Sequence, residues 1–296
     1  MKNILITGIS GYIAPYLAKA LVVNGGSKVT GVYNSHPIEI NGITTQQCNL
    51  SHSTEIEKVF KSVKPDIVYH LASVTPTRIN GQNDKFIEDF NCGVTAHIAK
   101  LCKSAGALMI YTSTDLVYKE GTNLEEYSSP QEPLTIYART KLMGENAVID
   151  SGTNYQIMRT SLVYGFTLSK YTSYFDIAYR ALKSGKEVNA FTDQFRNPIY
   201  TEDAAEILLM LPSLYNENEI INLCGREYLS RYQMCFKMAE AFGFEKSLVK
   251  ESSCVNFPNY TAIGSIGLDN SRLIQHGLTT HTYDQNLERS KKNCPS

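Results

Sequence analysis

No stretch of this 296-residue chain approaches the roughly 18 consecutive apolar residues that a membrane-spanning helix needs, so no membrane partner is expected. The opening residues, MKNILITG, reach glycine before a signal-peptide core could form, and no cleavage pattern follows; the reading places the chain in the cytoplasm. Blocks of one charge sign are missing before the tail. With a formal net charge of −1, general attraction to nucleic acid is excluded. Arg289-Ser-Lys-Lys292 reads as a solvated end. The seven cysteines are an odd number and contain no C-x-x-C pair, which favours free thiols in a reducing compartment over a disulfide frame or a zinc site. No metal site is expected, and nothing in the cysteine spacing marks a nucleophile. Internal repeats and low-complexity linkers are absent too.

What is present is an ordinary globular composition, 43% hydrophobic and 19% charged, with length enough for one large or two modest domains. Short apolar runs at 3–7, 29–33, 66–71, 107–111 and 155–159 read as strands. Between them fall helical patterns. Ile13, Leu17 and Leu21 share one face, Ile56, Val59 and Phe60 another within 53–63, and longer patterns run over 84–105 and 134–150. Strand and helix alternate at βαβ spacing, which predicts an α/β fold with a doubly wound parallel sheet. Beyond about residue 165 the alternation loosens. Helices are expected at 171–183, 201–211 and 230–242, a strand at 220–223, and irregular chain over 244–283. The expected plan is a nucleotide-binding domain, 1–165 plus about 196–224, and a smaller α/β substrate-binding domain, about 166–195 plus 225–296.

The first strand runs into Thr7-Gly8-Ile-Ser-Gly11-Tyr-Ile-Ala14. Gly8 and Gly11 permit a tight turn and close approach of a pyrophosphate to the helix that follows, with Ser10, Tyr12 and Ile13 completing the loop. Ala14 is small enough for helix–strand packing, and Pro15 is tolerated in a first helical turn. The second strand ends in Tyr33-Asn34-Ser35-His36, without the acid that would hold an adenosine ribose 2′-OH. Asn34, Ser35 and His36 are left as donors, and NADP(H) is favoured over NAD(H). His36 also fits a plain solvated loop position.

Tyr137 and Lys141 stand four apart in a helical pattern, hence on one face. An ammonium beside a phenol favours the phenolate and is expected to lower its pKa from about 10. Tyr137 can then serve as general acid or base. Upstream, the strand at 107–111 leads into Ser113-Thr114-Asp115-Leu116, polar groups at a strand end.

Together the G-x-x-G-x-x-A loop, the strand-end hydroxyl and the Tyr–Lys pair resemble the extended, sugar-nucleotide branch of the short-chain dehydrogenase/reductase superfamily. Further matches are His70-Leu71-Ala72-Ser73, Asn91, the run from Arg159 to Gly165 and RNPIYTED from Arg196 to Asp203. The nearest subgroup is that of dTDP-4-dehydrorhamnose reductase and related NAD-dependent epimerase/dehydratase proteins. The resemblance implies a Rossmann-type domain. It implies that Thr114 donates to a substrate carbonyl, that Tyr137 protonates the alkoxide, and that Lys141 tunes Tyr137 and holds the nicotinamide ribose. Asn49, Leu50, Leu71, Ala72, Ser73 and Asn91 are implied on the cofactor side. Thr75, Asp115, Tyr164 and Arg196 are implied on the side of a nucleotide-sugar substrate, with Arg196 at its diphosphate. A homodimer is compatible.

Two departures matter. Asn49 stands where the family has Asp, and VTPTRING after Ser73 differs from the reductases, which leaves the sugar open. A dehydratase needs Thr-Asp-Glu; here the Glu position is Leu116, which moves no proton. Three functions follow: a 4-keto reductase, an epimerase with tightly held NAD, or a non-catalytic regulatory subunit that kept the fold.

Overall fold

The computed structural model describes residues 1–75, 83–214, 218–257 and 263–294. Most of the loop expected to line the sugar pocket lies outside them. In chain order the strands begin with β1 (Lys2–Thr7), β2 (Ser27–Tyr33), β3 (Thr44–Gln47), β4 (Ile67–His70) and β5 (Leu108–Thr114). There follow β6 (Gly121–Leu124), β7 (Tyr155–Thr160), β8 (Val163–Tyr164), β9 (Val188–Phe191), β10 (Phe195–Arg196) and β11 (Ile199–Tyr200). The last are β12 (Glu219–Leu223), β13 (Leu229–Ser230), β14 (Val249–Ser252) and β15 (Ile266–Leu268).

Seven of these form one parallel sheet in the order β12-β7-β5-β4-β1-β2-β3. Its central strands are apolar on both faces because helices cover both, as a parallel sheet requires. On one face lie α1 (Ala14–Asn24) and α7 (Thr201–Leu214), whose Leu17, Leu21, Leu208 and Leu211 pack over Ile4, Ile6 and Tyr69. On the other lie α2 (Ser53–Val63), α4 (Thr95–Ala105) and α5 (Ile136–Asp150), which bring Ile56, Phe60, Ile98 and Val148 onto Leu5, Val68 and Met109. The α/β, doubly wound reading therefore holds. Strand order reverses between β1 and β4, and the chain leaves those strands at Gly8 and Leu71. That is the crevice in which such sheets bind ligands.

The pattern over 84–105 is one continuous helical stretch in three parts: α3 (Asp84–Glu88), a π-helical segment (Asp89–Val94) and α4. β3, a polar edge strand, escaped the sequence reading because Thr44-Thr-Gln-Gln47 carries no apolar signal.

A second lobe grows from the carboxyl ends of the strands. Its core gathers Phe166, Phe175, Tyr179 and Leu182 of the stretch around α6 (Tyr174–Lys183) with Met234, Cys235 and Met238 of α8 (Arg231–Phe242) and Tyr283 and Leu287. Capping boxes start both helices, Ser173 with Asp176 and Ser230 with Gln233. The stretch read as irregular contains β14, parallel to β9, and β15, parallel to β6. These strands are too short to show a period. Nor does 225–296 belong wholly to the second lobe: Leu273 and Leu278 pack in the core on the α1 face of the sheet.

The expected solvated end is also corrected. Helix Tyr283–Ser290 buries Tyr283, Asn286, Leu287 and Ser290. Arg289 pairs with Asp203, and with Glu206 at 3.1 Å, while Lys292 reaches Glu202 at 3.0 Å. The acidic first turn of α7 that suits the helix dipole thus also clasps the basic tail. Among the described residues no helix is long and apolar enough to cross a membrane, and no cluster of His, Cys, Asp or Glu could hold a metal ion.

Candidate active site

The glycine loop sits at the crevice. Gly8 has φ +70°, and a Cβ there would lie 2.9 Å from Ala72 Cα, so only glycine lets the β1 and β4 turns meet. The Gly11 N–H donates to the Gly8 carbonyl at 2.8 Å, which closes the turn. Ser10 is buried beside it, and α1 starts after Ile13 with no side chain capping its first N–H groups. Uncapped N–H groups at a helix start, reached across two glycines, fit the pyrophosphate of a dinucleotide. The Tyr12 ring serves another purpose: its hydroxyl donates to the Gly165 carbonyl at 2.5 Å, and Tyr16 donates to the Phe166 carbonyl at 2.7 Å. Residues 165–173 are thereby strapped across the loop.

At the end of β2, Asn34 and Ser35 are exposed and His36 is half-buried. The Asn34 carbonyl accepts from Gln47, and His36 Nδ1 lies 2.9 Å from Ser35 Oγ and 3.1 Å from the Tyr171 hydroxyl. Asn49 shapes the turn ahead of α2: its side-chain oxygen accepts from the Ser51 N–H at 3.1 Å, and its own N–H donates to Glu55 at 2.7 Å. Leu50 is buried next to it.

Leu71, Ala72 and Ser73 follow β4, half-buried, and are held by a relay that sequence reading missed. The Ala72 N–H donates to Thr7 Oγ1 at 3.3 Å, and Thr7 Oγ1 lies 2.7 Å from His70 Nδ1. His70 Nε2 lies 3.0 Å from Thr95 Oγ1, whose own proton goes to the Asn91 carbonyl at 2.7 Å. Thr95 must then accept from Nε2–H, and Nδ1 accepts from Thr7. Burial, aided by the Lys141 charge, pushes the His70 pKa down to about 3, so the imidazole stays neutral and the relay is fixed. Asn91 lies in the π-helical segment. Its oxygen accepts from the Val74 N–H at 2.8 Å, and its amide donates to the Val74 carbonyl at 3.1 Å and to Thr140 at 3.2 Å. Asn91 thus acts by holding the turn after β4 against α5. Thr75 adjoins it, half-buried.

Thr114, Tyr137 and Lys141 come together from two elements. Thr114 ends β5, buried, its Oγ1 accepting from the Leu116 N–H at 3.3 Å. Thr135 caps α5 by accepting from the Ala138 N–H at 3.1 Å, which puts Tyr137 in the first turn and Lys141 one turn on. The Tyr137 pKa is pushed up to about 12, by burial first and then by the Asp115 carboxylate, while hydrogen bonds with Ser73 and Thr114 pull the other way. This corrects the expectation of a lowered phenol pKa. The Lys141 ammonium rests 4.0 Å from the Tyr111 ring centroid, and burial pushes its own pKa down to about 7 against the pull of Glu145. Glu145 is spent elsewhere, on Arg159 at 2.7 Å and Ser113 at 2.5 Å.

Two substrate-side residues stand differently from expectation. Arg196 is buried, donating to the Gly264 carbonyl at 2.9 Å and the Phe195 carbonyl at 3.3 Å, with Nε 3.5 Å from Asp115 Oδ2. Several of its donors are thus engaged within the protein, a use the motif did not foretell. Burial raises the Asp115 pKa, with Arg196 and the Ser161 hydroxyl, 3.1 Å away, opposing. Tyr164 is a core aromatic, its ring 4.5 Å from that of Tyr283 and 5.6 Å from that of Tyr200. Arg231 was missed. It is half-buried at the start of α8, 4.8 Å from the Tyr174 ring centroid, and its charge acts on both Asp115 and Arg196. Burial pushes the Cys48 thiol up to about 11 and those of Cys102 and Cys224 further, which leaves them unreactive near neutral pH.

Residues 1–289 match the family model described as RmlD substrate binding domain. Methionine adenosyltransferase 2 subunit beta of Xenopus tropicalis is 26% identical over 255 residues, 83% of this chain and 74% of that protein. dTDP-4-dehydrorhamnose reductase of Mycobacterium tuberculosis is 25% identical over 276 residues, 89% of this chain and 85% of that one. The crystal structure of dTDP-4-dehydrorhamnose reductase from Bacillus anthracis in complex with NADP superposes with a TM-score of 0.83 at 22% identity, over 100% of both chains.

Proposed function

Because the chain belongs to the RmlD substrate binding domain family, we propose that it reduces the 4-keto group of a nucleotide-linked 4-keto-6-deoxy sugar with NAD(P)H. The observation that carries this is the hydrogen bonding of Tyr137 with Thr114 at the end of β5 and with Ser73 in the turn that meets Gly8, Lys141 standing one helical turn on. Gly8, Ser10, Gly11 and Ile13 would hold the pyrophosphate, Asn49 and Leu50 the adenine, and Lys141 the nicotinamide ribose. The cofactor supplies hydride to the ketone carbon. The Thr114 hydroxyl orients the carbonyl oxygen, and Tyr137 gives that oxygen its proton. A phenol held up at about 12 keeps its proton at neutral pH, the state in which it can donate. NADP(H) is the cofactor this reading favours, since Asn34, Ser35 and His36 at the end of β2 include no carboxylate to repel a 2′-phosphate and the Bacillus anthracis relative is a complex with NADP.

A second reading is a non-catalytic subunit. It is favoured by the relatives named as methionine adenosyltransferase 2 subunit beta and by the burial of Arg196 against Asp115. An epimerase with tightly held NAD is the third. Purified protein mixed with NADPH or NADH and dTDP-4-keto-rhamnose, followed by cofactor absorbance, separates them. Oxidation supports the reductase. Co-purified NAD without net turnover favours the epimerase. Cofactor binding with no oxidation by any 4-keto nucleotide sugar leaves the subunit.

A further inference from the structure

Sequence reading placed the cofactor-selecting group on one element, the end of β2. The structure brings a second element there. Gly165 and Phe166 are tied to the glycine loop and α1 by Tyr12 and Tyr16, and Leu168 packs against the α1-side core of the nucleotide-binding domain. The strap then delivers Tyr171 to His36, hydroxyl to Nδ1 at 3.1 Å, with the rings edge-on at 5.0 Å. Ser35 Oγ reaches the same nitrogen at 2.9 Å.

Two hydroxyls converge on one ring nitrogen, and whichever of them donates there decides what the other nitrogen offers. The phenol is the better donor of the two, and with its proton given to the Nδ1 lone pair the imidazole carries its own on Nε2. An Nε2–H is a donor. It reaches its strongest partner in the anionic oxygens of a 2′-phosphate, where the hydrogen bond is charge-assisted, and a weaker one in a neutral ribose 2′-OH. Resting on the cofactor reading above, we propose that Tyr171 is a positioning residue that fixes His36 as the donor for the adenosine 2′-phosphate, so that the substrate-side strap takes part in choosing NADPH over NADH. Tyr171 acts through His36, and its removal should change the preference between the two dinucleotides without changing affinity for what they share.

Dissociation constants for NADPH and NADH, measured by calorimetry on wild type, Tyr171→Phe and His36→Ala, test this without turnover. A hydrogen bond to a charged group is worth about tenfold or more in affinity. Tyr171→Phe should weaken NADPH binding several-fold, His36→Ala about tenfold, with NADH affected little by either. A strap that is merely structural would weaken both dinucleotides alike, and an unchanged NADPH/NADH ratio in Tyr171→Phe overturns the proposal. Wild type that binds neither dinucleotide would sink the cofactor reading itself, a distinct result.

Discussion

Arg196 Nε lies 3.5 Å from Asp115 Oδ2, both side chains buried, where the strand-end motif and the RNPIYTED segment meet. Two motifs assigned separately to substrate are thus each other's partners. Removing one member of a buried pair leaves an uncompensated charge, at a cost of about 3–5 kcal/mol. Arg196→Met should therefore lower the unfolding free energy by about that amount in urea titration, with the Gly264 carbonyl also losing its donor. Near-wild-type stability with a raised KM would instead make Arg196 a substrate ligand.

Tyr137→Phe keeps the ring and removes the proton. Turnover should fall about 10²–10⁴-fold. Affinity for NADPH, read by calorimetry, should stay near wild type, because the pyrophosphate site at Gly8 and Gly11 is untouched. Unchanged turnover would remove Tyr137 from its assigned role.

Lys141 is held at about 7, below its ordinary 10.5. Between those values the unfolded chain carries a proton that the folded chain has released. Stability should then rise with pH across that window, by up to about 1.4 kcal/mol per unit, and fall as pH drops towards 7. Above about pH 9 buried tyrosines and cysteines titrate in the unfolded chain and add their own slopes. Lys141→Met should flatten the dependence between about pH 7 and 9, as followed by urea titrations at each pH. A slope identical to wild type would mean that the ammonium is solvated.

Arg289 binds Asp203, whose carboxylate also takes the Asn286 amide at 2.8 Å and the His281 N–H at 3.1 Å. Arg289→Ala should cost about 3 kcal/mol, since Asp203 is buried and loses its counter-charge. A loss under about 1 kcal/mol, the size of a surface pair, would show that the tail is not clasped.

Helix 53–63 was legible because burial of one face writes a period into the residues, and the strands of the large sheet other than β3 because burial on both faces writes an apolar run. The glycine loop was legible for a different reason: its positive φ at Gly8 and its contact with Ala72 allow no substitute. In the second lobe the helices at 174–183 and 231–242 were legible too, but the short strands were not. Two- to four-residue strands such as β8, β10 and β14 carry no period, and the tail's basic run looks the same in sequence whether solvated or clasped. Arg196 was found by motif but its partners at Phe195, Gly264 and Asp115 were not, because they are set by how residues 263–268 return to β6. Tyr171 and Arg231 had no local signal at all.

The strap between the lobes is attached at its start through main-chain oxygens, those of Gly165 and Phe166. Every residue has such an oxygen, so the attachment constrains Tyr12 and Tyr16 on the far side rather than the strap's own side chains. Gly165 is fixed, at φ +132° with Thr201 Oγ1 2.5 Å from where a Cβ would stand, and Phe166 is fixed by its buried ring. Side chains within 167–172 other than Leu168 can therefore change without dismantling that mooring, and selectivity can drift there while the frame stays put.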